Sequence, residues 1–196
     1  IMTKLDSSIP YRKVLMVLPK KRIERVFDLK EGFSYVPFDD DLFEPWCALQ
    51  TSVNLFSSME QARDALAAML EKDRAFFETH FLFVKNEAGQ LAASAGLWPG
   101  RDFDEERLRV HYVACDESCQ HQGIARAMLT KLGAMYDSIP SKYPLYLSTQ
   151  SQSYGAIALY ASLGFTPYLG AYRGSTREQS EQAWEETTRI LKERGA

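Results

Sequence analysis

The stretch "SCQHQGIARAML", residues 118–129, passes from a polar loop into a helical pattern through a single glycine. Polar residues ahead of a helix are ordinary caps, and Asp, Ser and Asn are the preferred ones. Gly123 is different, because it puts no side chain over the helix start. A helix N-terminus carries unpaired backbone N–H groups and a partial positive charge. An anion can sit there when no side chain is in the way. Taken alone, the stretch reads either as a phosphate cradle or as a plain loop entering a helix, and its surroundings must separate the two.

Working outward, "LRVHYVAC" (108–115) reads as a strand, followed by the Gly123 helix over about 123–137. A loop holding Pro140 and Pro144 leads to the strand "YLSTQ" (146–150). "YGAIALYASLGF" (154–165) reads as a helix stopped at Gly164, and "FTPYLG" (165–170) returns as a last strand. On the other side, "HFLFVKN" (80–86) and "LAASAGLW" (91–98) form a hairpin across "EAGQ", with "RDFDEER" (101–107) as a charged loop. Ser57 and Glu60 have capping-box spacing for a helix whose apolar stripe is Met59, Ala62, Leu66, Met69 and Leu70. Asp39, Asp40 and Asp41 cap an earlier helix with Leu42, Trp46, Leu49 and Val53 at helical spacing. "RKVLMVLP" (12–19) and "EGFSYVPF" (31–38) are short extended segments around a basic connector, whose Lys20, Lys21 and Arg22 read as solvated charges. The tail at about 175–194 is a helical extension with Trp184 and Leu191 one heptad apart. The pattern is mixed α/β: helices first, then a hairpin, then strand–helix–strand–helix–strand.

A chain of 196 residues suits one domain spanning 1–196. Its net charge of −3 gives no general attraction to nucleic acid or acidic membrane surfaces. Near the start, the longest apolar run is "VLMVL", too short for a signal-peptide core or a membrane span. Three cysteines cannot all pair within one chain, so a reducing, cytoplasmic setting is expected. Ile1 ahead of Met2 looks like an expression remnant and carries no weight. Cys115, Cys119 and His121 fall short of a zinc site, which takes four ligands with a second pair elsewhere; no metal is expected. There is no G-x-G-x-x-G and no G-x-x-x-x-G-K-[ST], which disfavours nicotinamide and nucleotide-triphosphate enzymes.

Gln120-x-x-Gly123-x-Ala125 between a strand and a helix resembles the pyrophosphate loop of the GCN5-related N-acetyltransferases (GNAT), Q/R-x-x-G-x-G/A. The next helix, "SYGAIALYASLGF", is similar to that family's N-x-x-A-x-x-L-Y-x-x-x-G-F, with Ala156, Leu159, Tyr160, Gly164 and Phe165 in register. Ser153 departs, standing where the family often has asparagine. The two motifs cover roughly residues 106–168. The resemblance implies a mixed, mostly antiparallel sheet of about seven strands, flanked by helices, whose central strands splay to admit acetyl-CoA. It implies that the acetyl-pantetheine arm lies along "LRVHYVAC" beside Val113 and Cys115, with Ser153 and Ala156 across from it. Backbone N–H groups of Gln122, Gly123, Ile124, Ala125 and Arg126 would face the pyrophosphate, which needs clustered donors and close backbone approach.

Acyl transfer to an amine needs a route for the amine proton, a donor for the oxyanion and a proton for the thiolate. Tyr160 matches the position where the family often places its general acid. His111, with an ordinary pKa near ~6.5, is the candidate base, taken to share a face with Val113 and Cys115 by strand alternation. A water chain is the other proton route, and a hydrogen-bonded core histidine the other reading of His111. Acceptor specificity is expected from the first two helices and the loop after the hairpin. There Trp98-Pro99-Gly100 and the acidic Asp102, Asp104, Glu105 and Glu106 read either as a rim suited to a cationic amine or as an ordinary solvated charge run, and they name no substrate. The expected function is acetyl-CoA-dependent N-acetyl transfer to a small-molecule or peptide amine. A non-catalytic acyl-CoA-binding sensor is the alternative, and a homodimer stays open.

Overall fold

The structure is a computed structural model describing residues 5–196, so the reading of Ile1 lies outside the described residues. Along the chain come β1 (Lys13–Leu18), β2 (Ser34–Val36), α1 (Phe43–Ser52), α2 (Met59–His80), β3 (Phe81–Lys85) and β4 (Leu91–Gly100). They are followed by β5 (Arg107–Cys115), α3 (Ile124–Asp137), β6 (Leu145–Gln150), α4 (Tyr154–Ser162), β7 (Thr166–Pro167) and α5 (Arg177–Glu193). The strands form one sheet in the order β2-β3-β4-β5-β6-β1-β7, antiparallel at every junction but β5–β6. This is the mixed, mostly antiparallel seven-stranded sheet expected from the sequence.

The parallel junction is held by one register pair, Arg109↔Tyr146. Beyond it the two strands part, because each keeps its antiparallel neighbour but no longer pairs with the other. On one face of the sheet α3, α4 and α5 bury Met128, Leu132, Ile157, Tyr160 and Trp184 against the strands. On the other, α1 and α2 bury Trp46, Leu66 and Phe77 against Phe81, Phe83 and Trp98. Burying such side chains contributes about 1.5–3 kcal/mol each before entropy is charged against it.

Local chemistry moves several expected boundaries. The cap of α2 is Ser58, whose hydroxyl accepts from Gln61 N–H at 3.2 Å, rather than Ser57. Ser57 instead donates its hydroxyl to the Gln61 side chain at 2.7 Å. The helix breaks at Asp73, which takes extended angles, and restarts when the Asp73 carboxylate accepts from Phe76 N–H at 3.0 Å. The apolar stripe runs through this break, so periodicity alone could not reveal it. Before α1, Asp39 accepts from Asp41 N–H at 2.8 Å and starts a single 3₁₀ turn. The last strand is two residues instead of six: Pro167 brings no N–H, and the pairing ends with Tyr168 N–H donating to Leu15 at 2.9 Å.

The basic connector is not wholly solvated. Lys20 donates to the Tyr136 carbonyl at 3.2 Å and to that of Ile139, at the C-terminal end of α3, where a cation is favoured. Phe27 N–H donates to Thr130 Oγ1 at 3.0 Å, tying the connector along α3. The C-terminal helix α5 begins with a capping box of Thr176 and Gln179. Its Trp184 is buried and donates Nε1–H to the Leu15 carbonyl at 3.1 Å. No helix among the described residues is long and apolar enough to cross a membrane.

Candidate active site

Gly123 sits at the N-cap of α3 with φ +76°, a left-handed conformation that L side chains adopt only with strain. Among the described residues no side chain caps this helix, and its first turn holds no acidic residue. The amides of Ile124, Ala125 and Arg126 precede the first helical bond, Ala127 N–H to Gly123 at 3.0 Å. A Cβ at Gly123 would meet little but Arg126 Nη2, at 3.6 Å, so the space above the helix end is open. Side chains around the loop fold back to brace it: Gln120 Nε2 donates to the Cys115 carbonyl at 3.4 Å and Gln122 Nε2 to that of Ser118 at 3.3 Å. Two basic residues that the sequence reading passed over belong here. Lys30 donates to Gln122 Oε1 at 3.4 Å, and Arg25 and Arg126 both lie over the Phe27 ring, at 4.6 and 4.0 Å. This end of α3 therefore offers free amides, positive charge and room. These residues fit a diphosphate.

Between the parted strands lies a cavity of about 400 Å³, lined by Val110 and Val113 of β5, Leu147 of β6, and Ser153, Ala156 and Tyr160 from α4 and its approach. From the other face Asn54 and Leu55, in the turn between α1 and α2, reach the same cavity with Tyr112. The structure thus brings together Val113, Ser153, Ala156 and Tyr160 out of the expected site residues. Cys115 is buried on the same face of β5, toward α3 and α4, with its thiol pKa raised by burial. Burial also raises the Tyr160 hydroxyl well above its ordinary value, so it keeps its proton at neutral pH.

His111 does not join this group. The β4–β5 register runs Gly96↔His111 and then Ser94↔Ala114, so Tyr112 and Val113 together oppose Ala95. Tyr112 takes φ +52°, and the extra residue is a β-bulge, which inverts the alternation beyond it. His111 therefore shares its face with Gly96 and Phe81, toward α2, while Val113 and Cys115 face α3. The expectation that these three share one face is corrected. The His111 side chain is absent from the cavity lining, and neither ring nitrogen has a hydrogen-bond partner among the described residues. Burial first, then the Arg109 charge, lowers its pKa to about 3, against the weaker opposing pull of the Asp102 charge.

The acidic loop is also corrected. Asp102 is buried, accepting from Lys13 Nζ at 2.5 Å, Tyr146 Oη at 2.8 Å and Arg109 Nη1 at 3.2 Å. Burial opposes its charge, but the hydrogen bonds from Lys13 and Tyr146 and the nearby cations outweigh that and hold its pKa below the usual carboxylate range. Gly100 makes the arrangement fit, since a Cβ there would lie 1.9 Å from the Tyr146 hydroxyl. Asp104, Glu105 and Glu106 line a separate cleft beside Lys72 and Arg173, away from the parted strands. Cys119 is buried without a disulfide, and His121 is an exposed loop residue.

Known structures share this architecture. A GCN5-related N-acetyltransferase from Sphaerobacter thermophilus matches with TM-score 0.60 at 19% identity, over 81% of this chain and 50% of that one. A second, from Ralstonia eutropha JMP134, gives 0.54 at 18% over 71% and 96%. An aminoglycoside N-acetyltransferase in complex with CoA gives 0.55 at 11% over 68% and 88%. At such identities the likeness is one of fold, and this chain spans half the length of the first. No curated protein matches the chain. Residues 38–165, well over half the sequence and including both motifs around Gly123 and Tyr160, match the acetyltransferase (GNAT) family. By that match the chain is a member of the GNAT acetyltransferase family.

Proposed function

We propose that this chain transfers an acetyl group from acetyl-CoA directly to the primary amine of an acceptor. The observation that carries the reading is the cavity between β5 and β6, with Tyr160 in its wall and the N-terminus of α3 beyond the end of β5. Acetyl-CoA, when bound, supplies the activated thioester. The amides of Ile124, Ala125 and Arg126 hold its diphosphate, with Gly123 leaving the approach open and Lys30, Arg25 and Arg126 adding positive charge. Val113, Cys115 and Ala156 form apolar walls for the pantetheine arm, and Ser153 adds a hydroxyl beside them. Gln120 and Gln122 keep the loop in shape.

A neutral amine entering past Asn54 and Tyr112 forms the C–N bond as the C–S bond breaks. Its surplus proton leaves to water in the cavity mouth, because His111 faces elsewhere and is too weakly basic to hold it. The Tyr160 hydroxyl, still protonated, donates to the departing sulfur. A thiolate with pKa near ~8.5 is protonated at neutral pH once released, and a buried donor at the sulfur supplies stabilisation as the C–S bond breaks. Three buried thiols without disulfides suit a reducing, cytoplasmic setting.

The test is thiol release from acetyl-CoA with a broad panel of primary amines, omitting protein, acetyl-CoA or amine in turn. Amine-dependent release is expected. Tight acetyl-CoA binding without release for any amine would turn the reading toward a binding module.

A further inference from the structure

The chemistry of the acceptor can be taken further, on the premise that the cavity between β5 and β6 is the transfer site. Arg109 stands where the two strands part and lines that cavity. Its Nη1 is committed to Asp102 at 3.2 Å, whereas its Nε is buried without a hydrogen-bond partner among the described residues. About a quarter of the side chain (28%) stays exposed. The Nε–Nη2 edge of a guanidinium is one of the two faces that match a carboxylate in a paired, planar contact. Asp102 occupies the opposite end and fixes the orientation of that edge.

The rest of the lining agrees. Asn54, Ser148, Gln150 and Ser153 are neutral hydrogen-bonding groups, and no Asp or Glu lines the cavity among the described residues. Arg109 is the one charged side chain there among them. A polycationic acceptor would find no counter-charge, and the acidic loop that could supply one lies at another cleft. We infer that the acceptor is a primary amine that also carries a carboxylate, which Arg109 binds through its unpaired edge. Arg109 then sets specificity, orienting the acceptor so that its amine faces the thioester.

The experiment compares matched acceptors in the thiol-release assay: a panel of α-, β- and γ-amino acids, their primary carboxamides, and the corresponding decarboxylated amines. Each acid is expected to exceed its carboxamide in kcat/KM by roughly 10- to 100-fold, the usual worth of a charge-assisted contact. In Arg109→Gln that ratio should collapse toward one, mainly through KM, and Arg109→Lys should restore part of it. Because the acid–carboxamide comparison is made in the unaltered protein, the test holds even if Arg109→Gln fails to fold. Calorimetry with acetyl-CoA keeps the premise separate. Turnover of amines without preference for the carboxylate overturns the inference and leaves the transferase reading intact. Acetylation confined to amines that carry no carboxylate overturns it in the same way, and acetyl-CoA binding with no amine acetylated overturns both the inference and the transferase reading. Absence of acetyl-CoA binding removes the premise, and the inference with it.

Discussion

At Gly123 the backbone conformation and the space above it make separate demands. The positive φ costs an L residue about 1–2 kcal/mol, and a short side chain would otherwise meet open space. Gly123→Ala should therefore lower stability modestly while retaining much of its acetyl-CoA affinity. Gly123→Glu adds bulk and a negative charge where the diphosphate is proposed to sit, and should abolish binding. Calorimetry on the two variants checks this, and unchanged affinity in a folded Gly123→Glu protein would remove the diphosphate from this helix end. Tyr160 permits the complementary test. Its hydroxyl is held protonated by burial, so Tyr160→Phe should lower kcat by about 10²- to 10⁴-fold with little change in acetyl-CoA affinity. A variant turning over at the unaltered rate would make the tyrosine a packing residue.

The bulge in β5 decides what a single side chain can do. It leaves His111 on the α2 side, buried, with both ring nitrogens unpaired among the described residues. The folded pKa of about 3 lies below the ordinary 6.5, so between these values the unfolded chain binds more protons. The neutral ring thus contributes stability that is fully present above about pH 6.5. It is lost as pH falls toward 3, with a slope of up to about 1.4 kcal/mol per pH unit. His111→Leu removes that slope and leaves no orphaned polar atom. Denaturant unfolding at pH 7 and pH 5 should show the variant gaining on the unaltered protein as the pH drops. Its thiol-release profile should run parallel to the unaltered one at all pH values. A kcat/KM deficit concentrated near neutrality, closing at high pH where free amine is abundant, would restore His111 as the base.

Across the whole molecule the cavity depends on strands held apart by what lies outside them. β6 is fixed by β1, and β1 by β7 on its far side and by Trp184 of α5 through the Leu15 carbonyl. The C-terminal helix is therefore part of the frame around the site. Trp184→Ala should destabilise the protein by about 3–5 kcal/mol, the usual cost of emptying a buried aromatic position. Trp184→Phe, which fills most of the volume but loses the indole donor, should cost less. Denaturant midpoints measure both, and a negligible loss in Trp184→Ala would show α5 to be a peripheral appendage.

The element order, the glycine at the start of α3 and the helix that carries Tyr160 were legible in the sequence because each rests on local physics, whereas a diphosphate loop and an acid at Tyr160 were implied only by the family resemblance. A glycine at a helix start, a hydrophobic period and a helix stop at Gly164 act within a few residues of one another. The Asp73 break escaped notice because the apolar stripe continues across it. The face of His111 was not legible, since alternation is a two-residue rule that one inserted residue reverses, and the bulge exists only in register with β4. The same holds for charge. In the sequence Asp102 is one acid in an acidic run, whereas the fold gives it Lys13, Tyr146 and Arg109 and withdraws it from solvent. Arg109 is likewise one charged residue within a strand in the sequence, and Lys30 one residue of a connector; distant segments give them their partners. By itself the sequence determined that an anion-ready helix end and a tyrosine-bearing helix would follow two successive strands. Only the tertiary structure decided which side chains share the space between those strands, because burial, pairing and electrostatic partnership are set by residues far apart along the chain.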